Sequence, residues 1–297
     1  MNLYFFKVHF KLKFVHTGPL IIDSHQHFWQ YNEQEYGWIT EQLSPLKRDF
    51  LPAELDVLLR NEHISGAVSV QARQSEKEND FLLQHAKNNS FIKGVVGWID
   101  LKSEKIDERL RYYRDFPIMK GFRHVVQDES DPSFMLHPAF LNGINELILA
   151  GFTYDILVYA RQLPQVFAFL QYFPDTPFII DHLAKPDIKH RLFSSWQADM
   201  RKIAAFPKVS VKISGMVTEA EWHQWKKEDF FPYLDELVQS FGLDRLCYGS
   251  DWPVCNLSGN YKSQLDVITS YFSTFNQTER DKVMGVNTQN FYHLNEI

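Results

Sequence analysis

Cysteine is scarce in this chain, and signals for export or membrane insertion are also missing. The 297 residues include two cysteines, Cys247 and Cys255. Two are too few for a disulfide framework or for a zinc site built on cysteine, so we expect free thiols in a cytoplasmic protein. Lys7, Lys11 and Lys13 interrupt the apolar N terminus, which leaves no run near the roughly 20 apolar residues of a membrane span. We expect neither a secretory signal nor a membrane partner.

An excess of basic charge is lacking as well. The chain has 31 Lys and Arg against 37 Asp and Glu, a net charge of −6 and a pI near 6.1. Such a chain has no basic field for a nucleic acid, so a nucleic-acid partner is not expected. Low-complexity segments and Gly/Ser linkers are absent from the sequence. Aromatic residues, in contrast, make up 15% of it, which indicates an ordered protein with a well-filled interior.

Short β-rich runs alternate with amphipathic helical stretches along the chain. Pro52 suits the first position of one helix, Ser75 and Glu78 have the spacing of a capping box, and Gly242 suits the end of another helix. Strands that are apolar on both faces and are followed by helices are typical of a parallel sheet. The eight predicted strands are Leu20–Asp23, Gly66–Gln71, Lys93–Ile99, Met119–Arg123, Phe152–Val158, Pro177–Asp181, Val209–Ser214 and Leu246–Ser250.

A closed barrel and an open doubly wound sheet share this alternation. The barrel is favoured because SHQHFW follows the first strand, where a dinucleotide fold would have a glycine-rich phosphate loop. We therefore predict an α/β fold, a single-domain (β/α)8 TIM barrel over residues 20–297. Residues 1–19 are predicted to be an N-terminal extension, either an edge strand or disordered arm or an amphipathic strip that contacts a membrane. Its aromatic residues leave a homo-oligomer open.

Polar side chains follow the predicted strands, whose C-terminal ends a barrel gathers into one pocket. His25 and His27 follow the first strand, and residues two apart in an extended segment face the same side. Arg123 ends the fourth strand and suits the grip of a carbonyl or carboxylate oxygen. His182 follows the sixth strand and Asp251 follows the eighth. These five residues are the predicted catalytic group.

His25, His27, His182 and Asp251 together offer three imidazoles and one carboxylate. Nitrogen and oxygen donors of this kind suit one divalent metal ion, zinc above others. The same set suits a metal-free hydrolytic site in which the histidines polarise a carbonyl and the aspartate activates water. The residues alone leave both possibilities open. Each of the predicted catalytic residues also has a purely structural alternative, such as an internal ion pair for Arg123 or a strand-capping role for His182.

The motifs around these residues resemble a known family. In chain order they are DSHQHFW, DFLPAEL, VSVQAR, KGFRHVVQ, DHLAKP, KISG and YGSDWPV. They are similar to the amidohydrolase superfamily, in particular its "amidohydrolase 2" branch, which contains L-fuconolactone and L-rhamnonolactone hydrolases and the pyrone dicarboxylate lactonase. The resemblance runs from about Leu20 to the C-terminal NTQNFYHL.

The resemblance implies a (β/α)8 barrel that opens lactones. Asp251 matches the general base of the family, the three histidines match its carbonyl-polarising or metal-binding groups, and Arg123 matches an arginine that positions substrate. A two-metal centre of the wider superfamily needs a histidine at the end of strand five, where this chain has Tyr154, Asp155 and Tyr159. Zero or one metal ion is therefore expected.

These expectations combine into a predicted hydrolase that opens a sugar-derived (aldonic acid) lactone, a small-molecule substrate. Polar residues are candidates for binding the ring hydroxyls, and tryptophans are candidates for its apolar walls or for fillers of the barrel mouth. Two alternatives are a zinc-dependent decarboxylase of a related barrel and a catalytically silent barrel that binds a ligand. The predicted substrate-binding residues are Trp29, Gln71, Trp98, His124, Gln127, Asp155, Lys185 and Trp252.

Overall fold

The computed structural model describes residues 20–295, so the extension predicted for residues 1–19 lies outside the described residues. Eight parallel strands form one sheet, and their spatial order follows the order of the sequence. No reversal of strand order occurs in this sheet, which excludes a doubly wound topology. The strands are β1 (Ile22–Gln26), β2 (Gly66–Val70), β3 (Ile92–Gly97), β4 (Met119–Val125), β5 (Thr153–Leu157), β6 (Phe178–Ile180), β7 (Val209–Ile213) and β8 (Leu246–Tyr248).

Contacts between β1 and the chain after β8 join the two ends of the sheet. The amide of Asp251 donates to the carbonyl of His25 (2.8 Å), and the amide of His27 donates to the carbonyl of Trp252 (2.7 Å). The buried carboxylate of Asp23 accepts hydrogen bonds from the amide and hydroxyl of Ser250 (2.8 and 2.5 Å). The predicted (β/α)8 barrel is confirmed.

A β-bulge in β1 decides which way the first histidines point. Between Asp23 and Gln26 the strand advances by three residues while its partner β2 advances by two. A one-residue slip of this kind reverses the face on which side chains lie. Ile22 and His25 therefore both contact the barrel interior, although they are three residues apart. The strand continues to Gln26, beyond the predicted end at Asp23, because Gln26 still pairs with β2.

Helices follow the strands and cover the outside of the barrel. Pro52 begins α1 and Gly242, at φ 70°, follows α7, both as predicted. Within the described residues, no helix has the length and apolar character of a membrane span. The helices are α1 (Pro52–Asn61), α2 (Glu76–Asn88), α3 (Ile106–Tyr113), α4 (Pro138–Leu149), α5 (Leu163–Leu170), α6 (Phe193–Ala204), α7 (Phe231–Phe241), α8 (Tyr261–Tyr271), α9 (Gln277–Asp281) and α10 (Asn287–Phe291), with a π-helical turn at Lys282–Val286.

The start of α2 differs in one respect from the prediction. The Ser75 hydroxyl caps the helix by accepting from the amide of Lys77. Glu78 does not complete a capping box, because its carboxylate turns back to accept from the amides of Ala72 and Arg73 (2.9–3.2 Å). Glu78 thus holds the segment that follows β2, close to the mouth of the barrel.

The core has two layers. Large aromatic side chains fill the space between barrel and helices, for example Phe122, Phe140 and Trp196, each almost fully buried. A smaller cluster inside the barrel consists of aliphatic strand residues together with Tyr292, which follows α10. The C-terminal segment therefore contributes directly to the barrel interior.

Candidate active site

A cavity of about 620 Å³ lies at the C-terminal ends of the strands. His27, Arg123, His182 and Asp251 line it, and His25 lies fully buried directly behind them. The Nε2 atoms of His25 and His27 are 3.1 Å apart. Oδ1 of Asp251 lies 3.4 Å from Nε2 of His27 and 3.9 Å from Nε2 of both His25 and His182. The structure thus brings all five predicted catalytic residues into one group, although the reaction steps assigned to them stay predictions.

Strained backbone carries two of these residues into the cavity. Asp251 has φ 56°, and the four residues from His182 to Lys185 have φ between 49° and 58°. A residue with a Cβ in this left-handed region costs about 1–2 kcal/mol, and such strain is found where a function requires it. Residues 182–185 form a turn that Trp196 holds from the outside, because its indole N–H donates to the carbonyl of Leu183 (2.7 Å). Its shape directs both His182 and Lys185 toward the cavity.

A buried network of charges supports the site from below. The ammonium group of Lys212 lies 2.5 Å from Asp155, 2.9 Å from Asp181 and 3.1 Å from Nδ1 of His25. The hydroxyl of Tyr292 donates to the same oxygen of Asp155 (2.7 Å). All five side chains are essentially inaccessible to solvent. The sequence places Lys212 and Asp181 at strand ends, but it gives no signal that Tyr292 joins them.

Arg123 on β4 is fixed by groups in or directly after three other strands of the barrel, β1, β2 and β6. Its Nη1 donates to Asp181 (2.9 Å) and lies 3.2 Å from Nε2 of His25. Its Nη2 donates to the side-chain oxygen of Gln71 (3.0 Å) and to the carbonyl of the same residue. Because these bonds fix the plane of the guanidinium group, the Arg123 side chain lies in the cavity wall in one orientation.

Burial sets the charge of the central groups. It lowers the pKa of His182 to about 4 and holds the pKa of His25 well below its usual value. Burial alone would raise the pKa of Asp251, but the electrostatic interaction with His182 and a hydrogen bond with His27 outweigh it and lower that pKa. At neutral pH the site therefore combines the neutral imidazoles of His25 and His182 with an ionised carboxylate, which is the form that accepts a proton.

The donor set is compatible with one zinc ion. Nδ1 of His27 contacts the carbonyl of Val70 (2.8 Å) and must carry the proton, so a neutral His27 turns the lone pair of Nε2 toward the cavity. The donor atoms of His25, His27 and Asp251 are separated by 3.1–3.9 Å. Zinc bonds of about 2.0–2.2 Å in a tetrahedron require a similar separation.

The predicted substrate-binding residues divide into two groups. Gln127 and Lys185 line the cavity. The others lie behind its wall in the described part of the chain: Trp29 and Trp252 pack against Phe50, Gln71 holds Arg123, Asp155 holds Lys212, and His124 hydrogen-bonds Trp98 and Glu129. Their assignment to substrate binding stays a prediction, because a role in positioning the wall fits these contacts too.

Loop residues absent from the predicted set also line the cavity. Trp38 and Glu35 come from the long segment after β1, and Glu219 and Trp222 come from the segment after β7. Arg73 forms an ion pair with Glu35 at the mouth. The sequence has no local motif for these residues, because tertiary contacts of the loops determine where they lie.

The buried carboxylate of Glu78 is expected to make the unfolding free energy of the protein depend on pH. Burial raises its pKa to about 7, against the opposing hydrogen bonds from the amides of Arg73 and Ala72. The folded state then binds more protons than the unfolded state between pH 4.5 and 7, so this group contributes stability at low pH that is lost as pH rises. Between pH 5 and 8, wild type should lose about 2–3 kcal/mol of unfolding free energy relative to Glu78→Gln. Urea unfolding of both proteins at several pH values measures this difference, and parallel curves would contradict it.

Imidazoles and a carboxylate gathered at the C-terminal strand ends of a (β/α)8 barrel are the arrangement of a barrel enzyme. A family model described as "Amidohydrolase" matches residues 22–294. The chain belongs to the amidohydrolase family, and the predicted family and the predicted class of enzyme, a hydrolase, are confirmed.

Individual relatives agree with this assignment. An L-fucono-1,5-lactonase of Burkholderia multivorans is 36% identical over 290 residues, which cover 94% of this chain and 98% of that protein. A crystal structure of an amidohydrolase from Burkholderia multivorans with bound zinc is similar with a TM-score of 0.88 and 36% identity, over 93% of this chain and 100% of that one. A probable 2-pyrone-4,6-dicarboxylic acid hydrolase from Acinetobacter baumannii shares the fold, with a TM-score of 0.75, 14% identity and coverage of 92% and 99%.

Proposed function

We propose that this chain hydrolyses the lactone ring of a sugar-derived (aldonic acid) lactone. The observation that carries the proposal is the ionised carboxylate of Asp251, held beside imidazoles and the Arg123 guanidinium in one cavity. A base next to donors for a developing oxyanion is what hydrolysis of an ester bond requires. The 36% identical L-fucono-1,5-lactonase, matched over nearly the whole chain, supports a lactone as the ester.

In the proposed reaction, water attacks the lactone carbonyl carbon while Asp251 accepts its proton. The carbonyl oxygen becomes an oxyanion, which the positive charge of Arg123 and an N–H group of His182 stabilise. The tetrahedral intermediate then collapses and the ring C–O bond breaks. The proton held by Asp251 passes to the departing alkoxide, so the product is an open-chain hydroxy acid and the carboxylate is restored. The neutral imidazoles of His25 and His182 suit these reaction steps because they do not protonate Asp251.

We further propose that the site accepts a single divalent ion, zinc above others. His25, His27 and Asp251 would hold it. A second set of close donor atoms, that of His25, Asp181 and His182, is less suited, since Asp181 is already paired with Arg123 and Lys212. When bound, the ion supplies Lewis-acid polarisation of the carbonyl. The zinc-containing structure from Burkholderia multivorans supports this choice of metal.

A panel of aldonolactones, assayed by proton release with and without a chelator, tests the proposed function. We expect at least one lactone to be opened with a turnover on the order of 1–10³ per second, as enzymes generally achieve. Activity that chelation removes and zinc restores would support the metal proposal, and unchanged activity would overturn it. Opening of no lactone, accompanied by carbon dioxide release from aromatic acids, would favour a decarboxylase instead.

A further inference from the structure

Two carboxylates of the cavity wall, those of Asp128 and Glu219, have no hydrogen-bond or ion-pair partner within residues 20–295. The side chain of Glu219 lines the cavity and is partly buried. Within residues 20–295, no hydrogen-bond donor or cation pairs with its carboxylate oxygens. Burial raises its pKa, Lys185 opposes that rise, and Asp251 and Asp187 add to it. A carboxylate that lines a cavity without a partner in the described protein is free to accept hydrogen bonds from a ligand bound there.

Lys185 presents the opposite charge to the same cavity. Its ammonium group faces the ring of Tyr159 at 5.4 Å from the centroid, and it has no carboxylate within 4.0 Å among the described residues. The more deeply buried charges of the cavity wall differ from Lys185, because Arg123 is paired with Asp181 and Asp251 contacts the histidines. Glu219 and Lys185 therefore offer the cavity an acceptor and a donor that form no ion pair within the described part of the chain.

The backbone holds Glu219 in place before any ligand binds. Its amide donates to the carbonyl of Met216 (3.2 Å), and its carbonyl accepts from the amide of Lys189 (2.9 Å). The indole of Trp222 donates to the carbonyl of Thr218 (3.0 Å) and fixes the same segment. A ligand that binds here pays little to order the loop, which makes the site suited to discrimination.

We infer that Glu219 and Lys185 form a hydroxyl-recognition subsite beside the reacting carbonyl. Glu219 accepts hydrogen bonds from one or two hydroxyls of the lactone, and Lys185 donates to a further hydroxyl or ether oxygen. The inference rests on the proposed function and narrows its substrate class to neutral, polyhydroxylated lactones, because a substrate carboxylate near Glu219 would be repelled. Glu219 is thus a specificity-determining residue and takes no part in bond breaking.

Glu219→Gln tests the subsite, with the best aldonolactone of the panel and its single-deoxy analogues as substrates. Loss of a charged hydrogen bond to substrate should lower kcat/KM for the full lactone about 10- to 100-fold, mainly through KM. Removal of the recognised hydroxyl from the substrate should cost wild type a similar factor and cost the variant little more. Glu219→Asp, which keeps the charge but withdraws it by one methylene, serves if the amide variant folds poorly.

The control is Glu221→Gln, two residues along, where the carboxylate pairs with Lys189 on the surface (3.0 Å). It should leave kcat and KM unchanged. Equal losses for Glu219→Gln on the full and all deoxy lactones, a loss confined to kcat, or no loss at all would each overturn the subsite. Failure of wild type to open any lactone would instead overturn the proposed function itself, so the two failures are distinguishable.

Discussion

Asp251→Asn should lower kcat for lactone opening by roughly 10²–10⁴-fold, the usual contribution of a general base. The amide keeps the size of the side chain but cannot accept the proton of the attacking water. Asp251 sits in a strained left-handed conformation at the closure of the barrel, and asparagine tolerates that conformation well. The variant is therefore expected to fold, and steady-state assays on the best lactone of the panel measure the effect.

Two further measurements make the Asp251 result specific. Asp107→Asn, an exposed substitution on α3, is the matched control and should retain wild-type turnover. The metal content of the Asp251→Asn protein separates loss of a base from loss of an ion. Turnover within a few-fold of wild type would contradict the role of Asp251 as the base.

The sequence predicts which residues meet at the mouth of the barrel, because their positions follow from a local rule. His182 and Asp251 are polar residues that come directly after short apolar strands, and a barrel collects such positions at one end. The rule does not apply to loops that fold back over the mouth of the barrel. The sequence therefore does not predict that Glu219 and Trp38 line the cavity. The indole of Trp29 donates to the carbonyls of Leu46 and Arg48 and anchors the loop after β1, and the assignment of Trp29 to substrate binding stays a prediction.

Non-local contacts explain the remaining differences. The bulge in β1 depends on pairing with β2 and on the bridge from Gln26 to Trp252, more than 200 residues away. Tyr292 reaches Asp155 from the end of the chain. No periodicity in a single segment reports either contact, since both arise only when the barrel closes.

Lys212→Met should lower the free energy of unfolding by about 3–5 kcal/mol, the usual result of removing one partner from a buried ion pair. Lys212 is fully buried and compensates both Asp155 and Asp181. Arg123 still pairs with Asp181 in the variant, whereas Asp155 keeps only the hydroxyl of Tyr292. The cost is therefore expected to arise mainly at Asp155, and urea or thermal unfolding measures it.

A double-mutant cycle assigns the cost to its source. In Lys212→Met/Asp155→Asn the uncompensated carboxylate is gone, while the amide oxygen still accepts from Tyr292. The double variant should therefore be more stable than Lys212→Met alone, because coupling between buried partners makes their effects non-additive. Lys262→Met, which removes an exposed ammonium group beside Asp266, should leave the unfolding midpoint unchanged. Two results would contradict a charge-compensating role for Lys212: a Lys212→Met protein as stable as wild type, or a double variant whose loss of stability equals the sum of the two single losses. Either result would also contradict the view that this network fixes His25 beneath the cavity.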